Sequence, residues 1–136
     1  MLMPKRVKHR KMHRGRIRGV ASRGNKVEFG EFGLQAIEPG WISARNLEAG
    51  RVACTRNAPD AKIWIRIFPQ KSVTGRPAET RQGKGKGDID FWCAVVKPGT
   101  VLYEIGGCAD DIAKKALNRC AHKMPVKVRM IRKRHL

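Results

Sequence analysis

The stretch Ile89–Ile105, IDFWCAVVKPGTVLYEI, contains two runs of strand-forming residues separated by a turn signal. β-Branched and aromatic side chains are frequent in Ile89–Val96 and again in Thr100–Ile105, a composition typical of strands. Pro98 and Gly99 between the runs favour a tight turn. The stretch therefore predicts two antiparallel strands that pair as a hairpin.

Upstream of this hairpin, the sequence carries signals for further strands and one helix. Lys62–Phe68 (KIWIRIF) alternates isoleucine with other side chains and predicts a strand that Pro69 ends. Ser43 is a suitable N-cap for a helix over Ala44–Arg56. Two short strands are predicted before it, over Val27–Phe32 and Gly33–Ile37.

Downstream of the hairpin, the chain predicts a second helix and a last strand. The helix begins near Cys108 and has Asp110 and Asp111 in its first turn, where acidic side chains interact favourably with the helix dipole. Apolar and basic residues then alternate over Val126–Met130, which predicts a strand with one basic face. The order β-β-α-β-loop-β-β-α-β indicates the α+β class: a single-domain sandwich of a mainly antiparallel sheet with two helices.

The positive charge is concentrated at the two ends of the chain. The 136 residues include 30 Lys and Arg but 11 Asp and Glu, which gives a formal net charge of +19. Residues 1–26 hold ten of the basic residues and 112–136 hold nine, with no acid in either segment, so that 27–111 is neutral. We therefore expect a basic N-terminal extension over 1–26 and a folded domain over 27–136. The excess favours a polyanionic partner, and arginine suits bidentate phosphate contacts.

Several classes of protein are disfavoured. No apolar run reaches the ~18 residues of a membrane span, so no membrane partner is expected. The four cysteines form no C-x-x-C pair, and a reduced environment is the better expectation. Asp88 and Asp90 could share a strand face and hold Mg²⁺, but acids that balance the neighbouring lysines are the simpler interpretation. We expect no catalytic residue, metal or cofactor. A metal-dependent nuclease and a free architectural nucleic-acid-binding protein stay open as alternatives.

The loop over residues 70–88 has no apolar pattern and ends in the run RQGKGKG at 81–87. Alternating glycine and lysine place positive charge beside backbone that can approach a phosphate or sugar closely. The glycine-rich motifs of nucleotide-binding folds, G-x-G-x-x-G and G-x-x-x-x-G-K-[ST], are absent. The pattern therefore predicts a loop that contacts RNA.

Five motifs, in order along the chain, resemble those of the bacterial-type large-subunit ribosomal protein sixteen family. They are MLMPKRVKHRK at 1–11, KIWIRIFP at 62–69, PAETRQGKGKG at 77–87, VVKPGTVLYE at 95–104 and HKMPVK at 122–127. The resemblance runs almost from end to end. It implies an α/β-hammerhead-like sandwich, without enzymatic activity, bound to large-subunit rRNA.

The resemblance also implies partners and contact residues. The partners would be large-subunit rRNA, A-site tRNA and secondarily P-site tRNA, and neighbouring ribosomal proteins, with a role in late subunit assembly. The implied rRNA contacts of the extension are Lys5, Arg6, Lys8, Arg10, Lys11, Arg14, Arg16 and Arg18. The implied loop residues near tRNA or rRNA are Arg76, Arg81, Gly83, Lys84, Gly85, Lys86 and Gly87.

One residue and one stretch depart from the family pattern. The start of the chain indicates where the protein is located. Gln82 stands where the family usually has methionine, and Asn57–Ala61 replaces a stretch that is usually basic. Because the family motif begins at Met1, we expect no transit peptide. The expected location is the ribosome of the bacterial cytoplasm or an organelle-encoded ribosome.

Overall fold

The computed structural model of the chain describes residues 2–75 and 88–134, which contain seven strands and two helices. In chain order these elements are β1 (Phe32–Ala36), β2 (Gly40–Ser43), α1 (Ala44–Asn57), β3 (Lys62–Ile65), β4 (Lys71–Thr74), β5 (Ile89–Val96), β6 (Val101–Gly106), α2 (Asp110–Ala121) and β7 (Val128–Arg132). None of the helices in this part of the chain is long and apolar enough to cross a membrane.

The strands form two antiparallel sheets rather than one. The larger sheet has the order β3-β6-β1-β7 and the smaller one the order β2-β5-β4. In the larger sheet Leu34 of β1 lies opposite Tyr103 of β6 on one side and Met130 of β7 on the other. The α+β class with two helices is therefore confirmed, with the strands divided between two sheets.

The two helices pack against each other and cover the larger sheet. α1 also contacts β2, β3 and β5, and α2 contacts β1 and β7. The core unites apolar side chains of both helices and of the larger sheet with Ile42 and Val96 from the smaller one. In α2 the apolar side chains of Ala113, Ala116 and Leu117 form a buried stripe, whereas Ile112 is 40% exposed.

The predicted pairing of Ile89–Val96 with Thr100–Ile105 is wrong, although both strands exist. Gly99 has a φ of 97° and the turn forms, but it carries the chain from β5 in the smaller sheet to β6 in the larger one. β6 is buried along its whole length and pairs with β1 on one edge and β3 on the other. Neither edge of β6 is left to accept β5.

The predicted strand over Val27–Phe32 is also wrong, except at Phe32. The backbone N–H groups of Glu28, Phe29 and Gly30 donate to the side chain of Glu104 instead of to a neighbouring strand. One carboxylate oxygen thus replaces a ladder of carbonyl groups, and the segment curls around it.

Two short strands lie where none was predicted. β2 begins at Gly40, directly after Pro39, and β4 lies within the predicted loop over 70–88. Both strands pair with β5. Their own sequences carry no strand pattern, and the main-chain hydrogen bonds to β5 stabilise them. The predicted helices are confirmed, and the Ser43 hydroxyl accepts a hydrogen bond from the Asn46 N–H at 3.2 Å, as an N-cap should.

Candidate nucleic-acid interface

The N-terminal segment lies against the body through its backbone. The Ser72 hydroxyl donates to the carbonyl of Arg10, and the Lys71 ammonium donates to the carbonyl of Arg14. Further along, the Ala21 N–H donates to Pro98 O at 2.9 Å, and the Val101 N–H donates to Gly24 O at 2.8 Å. These contacts use the main chain of the segment and therefore do not occupy the side chains of Arg10 and Arg14.

Several apolar side chains of this segment are less exposed than its basic ones. Leu2, Val7, Met12 and Ile17 recur every five residues and are half-buried, whereas Met3 and Val20 are exposed. Every basic residue up to Lys26 is exposed. The interval of five matches neither the helix period of 3.6 nor the strand period of two, so a search for those periods does not find it.

The segment between residues 2 and 31 contains no helix or strand. Gly15 and Gly19 have φ values of 64° and 82°, a left-handed conformation that favours glycine, and a Cβ at either position would meet no atom within 4 Å. The backbone conformation, rather than packing, therefore favours glycine at both positions.

The C-terminal basic residues are exposed as well, but several have partners. Arg129 Nε donates to Gln35 Oε1 at 2.9 Å, and Arg132 lies 3.6 Å from Asp110 and over the ring of Phe32. On α2, by contrast, Lys114, Lys115 and Arg119 lie on the solvent side, opposite the buried stripe. The strand β7 therefore uses part of its charge within the fold, whereas α2 presents its charge outward.

A buried carboxylate organises the surface next to β3. Glu104 is fully buried in β6, and its Oε1 accepts from the N–H groups of Glu28, Phe29 and Gly30 at 2.9, 2.7 and 2.9 Å. Its Oε2 pairs with the Arg66 guanidinium. Burial acts to raise the pKa of Glu104, but the hydrogen bonds from the Gly30 N–H, the Arg66 side chain and the other two N–H groups outweigh it and hold the pKa below its usual value.

Comparison with known proteins identifies the family. The family model for ribosomal protein L16p/L10e matches residues 4–131. The chain belongs to the ribosomal protein L16p/L10e family. Proteins named "Large ribosomal subunit protein uL16c" are 57% identical in Solanum bulbocastanum and 56% identical in Solanum lycopersicum, each over 132 residues that cover 96% of this chain and 98% of the relative. The Olimarabidopsis pumila protein of that name is 57% identical over the same shares.

Of the two groups of expected contact residues in this L16p/L10e family member, the structure describes only the basic residues of the extension. All eight basic residues expected in the extension are exposed. The expected loop residues from Arg76 to Gly87 lie outside the described residues. The loop's two flanks meet, since the Gly75 N–H donates to Asp88 O at 3.1 Å. Gly75 and Asp88, the described residues nearest to this run on either side, therefore lie next to each other between β4 and β5.

The aspartates considered for a metal site lie beside this loop. Asp88 and Asp90 are both exposed. Over residues 2–75 and 88–134 no group of three or more His, Cys, Asp or Glu side chains is placed to hold a metal ion. No observation in this part of the chain favours the nuclease alternative.

Sequence reasoning missed the group around Glu104 in this L16p/L10e family member. The signal available was a single acid within the otherwise apolar run VLYEI at 101–105. A carboxylate in such a strand must find donors when it is buried. The donors come from Arg66 and from a loop about 75 residues earlier in the chain, which no local pattern could indicate.

Proposed function

We propose that this protein is a structural, non-catalytic component of the large ribosomal subunit and binds its rRNA. Membership of the ribosomal protein L16p/L10e family over residues 4–131 carries the proposal. The charge distribution supports it, because the ten basic residues of the extension are all exposed while its backbone and apolar side chains are held by the body. Such a surface suits contact with RNA phosphates.

The domain organisation belongs to the same proposal. Residues 1–26 act as an rRNA-binding arm on an α+β domain over 27–136. Lys5, Arg6 and Lys8 begin the row of rRNA contacts, which continues through Arg10, Lys11, Arg14, Arg16 and Arg18. The ribosome would be that of an organelle or a bacterium, and the plant relatives named uL16c are consistent with an organelle ribosome.

The loop over residues 76–87 carries a finer part of the proposal. We infer that it reaches A-site tRNA near the peptidyl-transferase region, with P-site tRNA and neighbouring ribosomal proteins as further partners and a role in late assembly. Arg81, Lys84 and Lys86 would supply its charge. The hydrogen bond between Gly75 and Asp88 supports this part of the proposal, because it holds the two residues that flank the run together on the body.

Sedimentation in a gradient tests membership of the large subunit, and a translation assay tests the contact of the loop with tRNA. Tagged protein expressed in its cell should sediment with the large subunit at one copy per particle, and high salt should release it, because phosphate binding releases counterions. The variant with Arg81, Lys84 and Lys86 all changed to Ala should sediment equally but support slower translation. Protein that stays at the top of the gradient at physiological salt contradicts subunit membership. Normal translation by the variant contradicts the tRNA contact.

A further inference from the structure

Phe29 is an exposed aromatic residue on a loop that is held rigidly. The residue is 59% exposed, although three consecutive backbone N–H groups, including its own, donate to the buried Glu104 carboxylate. The loop also approaches β6 closely, because a Cβ at Gly30 would lie 2.6 Å from Ile105 O. The fold thus fixes the backbone on both sides of a side chain that it leaves in solvent.

Trp64 and Arg66 lie under Phe29. The ring centroids of Phe29 and Trp64 are 6.3 Å apart with an interplanar angle of 23°, and the Arg66 Cζ is 5.0 Å from the Phe29 centroid. Trp64 and Arg66 are two residues apart in an extended segment and therefore point to the same side. Even with these two neighbours, Phe29 is more than half exposed, so part of its side chain is accessible to a ligand from solvent.

Positive charge lies near the exposed Phe29 side chain. The Lys133 ammonium donates to Glu28 O at 3.1 Å, and the Arg66 guanidinium donates to Lys26 O at 3.2 Å. Lys26 itself is exposed. Glu28 and Glu31 are exposed acids close to Phe29 in the chain, and Glu28 lies 3.8 Å from Arg66. An exposed aromatic side chain with lysines nearby matches an RNA nucleotide, whose base offers a π-face and whose phosphates are anionic.

We propose that Phe29 is a stacking platform for an unpaired base of the large-subunit rRNA, with Lys26 and Lys133 beside the flanking phosphates. The proposal rests on the proposed function, because it names one contact within the RNA that the protein binds. Glu104 and Arg66 are positioning residues, since they hold the loop and the ring without touching the base. Stacking is tolerant of base identity, so the platform selects an unstacked nucleotide rather than a particular base.

Affinity measurements with full-length protein and deproteinised large-subunit rRNA test the platform. Phe29→Ala and Phe29→Leu should each weaken binding about 5- to 100-fold, the loss expected for one base stacked on an aromatic ring. Phe29→Tyr should bind within about twofold of the parent chain. The dependence of affinity on salt should be the same in all four proteins, because the ring carries no charge. Ile112→Ala, which shortens another exposed apolar side chain, is the matched control and should leave affinity unchanged.

Ultraviolet cross-linking with mass spectrometry gives a second readout and should attach a nucleotide to the peptide that contains Phe29. Each contrary outcome has its own meaning. If the parent chain binds the RNA and Phe29→Ala binds equally well, the platform is overturned while the proposed function stands. If the parent chain does not bind, both fail. If Phe29→Leu binds like Phe29→Tyr, an aromatic ring is not needed and the platform is overturned. If the variants bind RNA like the parent chain but are not incorporated into subunits, the surface accepts an apolar protein partner and the platform is overturned.

Discussion

Glu104 shows how one side chain links folding to the surface that carries Phe29. Its carboxylate is fully buried and accepts hydrogen bonds from three backbone N–H groups and from Arg66. A buried charge of this kind is tolerated only when its partners satisfy it, and removal of one member leaves the other without compensation. The carboxylate should therefore make the loop over 28–30 stable at neutral pH and weak in acid.

Glu104→Gln tests this link through pH. The native pKa of Glu104 lies below its unfolded value, so the carboxylate stabilises the fold above the unfolded pKa, near 4.3, and this contribution is lost as the pH falls through the native pKa. We expect the variant to lose about 3 kcal/mol at neutral pH, because Arg66 then lacks its charged partner. Urea unfolding between about pH 3 and 7 should also show a shallower loss of stability in acid for the variant. Parallel curves for the two proteins would contradict the assignment.

At the scale of the elements, Gly50 determines how closely α1 and α2 can pack. Glycine within a helix normally costs about 1 kcal/mol relative to alanine. Helix propensity alone therefore predicts that Gly50 destabilises α1. In the structure a Cβ there would lie 2.6 Å from Tyr103 Oη and 3.0 Å from Cys120 Sγ. Tyr103 cannot easily move aside, since its hydroxyl donates to Leu47 O at 2.6 Å. Its burial also raises its pKa.

Gly50→Ala should therefore destabilise the protein despite the higher helix propensity of alanine. We expect a loss of about 1–3 kcal/mol from overpacking, seen as a melting temperature lower by several degrees. Ala49→Gly, at the exposed neighbouring position, is the matched control and should cost about 1 kcal/mol through propensity alone. Opposite substitutions at adjacent residues would then both destabilise. A higher melting temperature for Gly50→Ala would show that α1 and α2 can separate at no cost.

Local patterns predicted the elements of this fold better than their partners. Ser43 and the Asp110-Asp111 pair marked the starts of α1 and α2 because capping and dipole effects act within one turn. The strand β5 was evident from its residues, but its partners β2 and β4 were not, because pairing depends on which edges remain open in the folded sheets. For the candidate site, the sequence supplied the exposed basic residues of the extension. It could not supply Phe29, whose exposure depends on the distant Glu104.

In the molecule as a whole, charge and packing are divided between the ends and the body. The core takes its apolar side chains from the helices and sheets, and Leu2 packs against it from the far end of the extension. The basic residues of the extension remain exposed, while those of β7 partly bond within the fold. A net charge of +19 therefore does not predict by itself which cations meet RNA. Position, rather than number, should govern the effect of removing them.

Two variants with equal loss of charge test this expectation. One changes Arg14, Arg16 and Arg18 to Gln in the extension, and the other changes Lys114, Lys115 and Arg119 to Gln on the exposed side of α2. If the extension contacts rRNA phosphates, the first variant should reduce the slope of log affinity against log salt by about 2, since each lost contact removes about 0.7. The second should change the slope less, and neither should lower the melting temperature by more than a few degrees, because all six side chains are exposed. Equal slopes for the two variants would mean that only net charge attracts the RNA, and the assignment of contacts to the extension would fall.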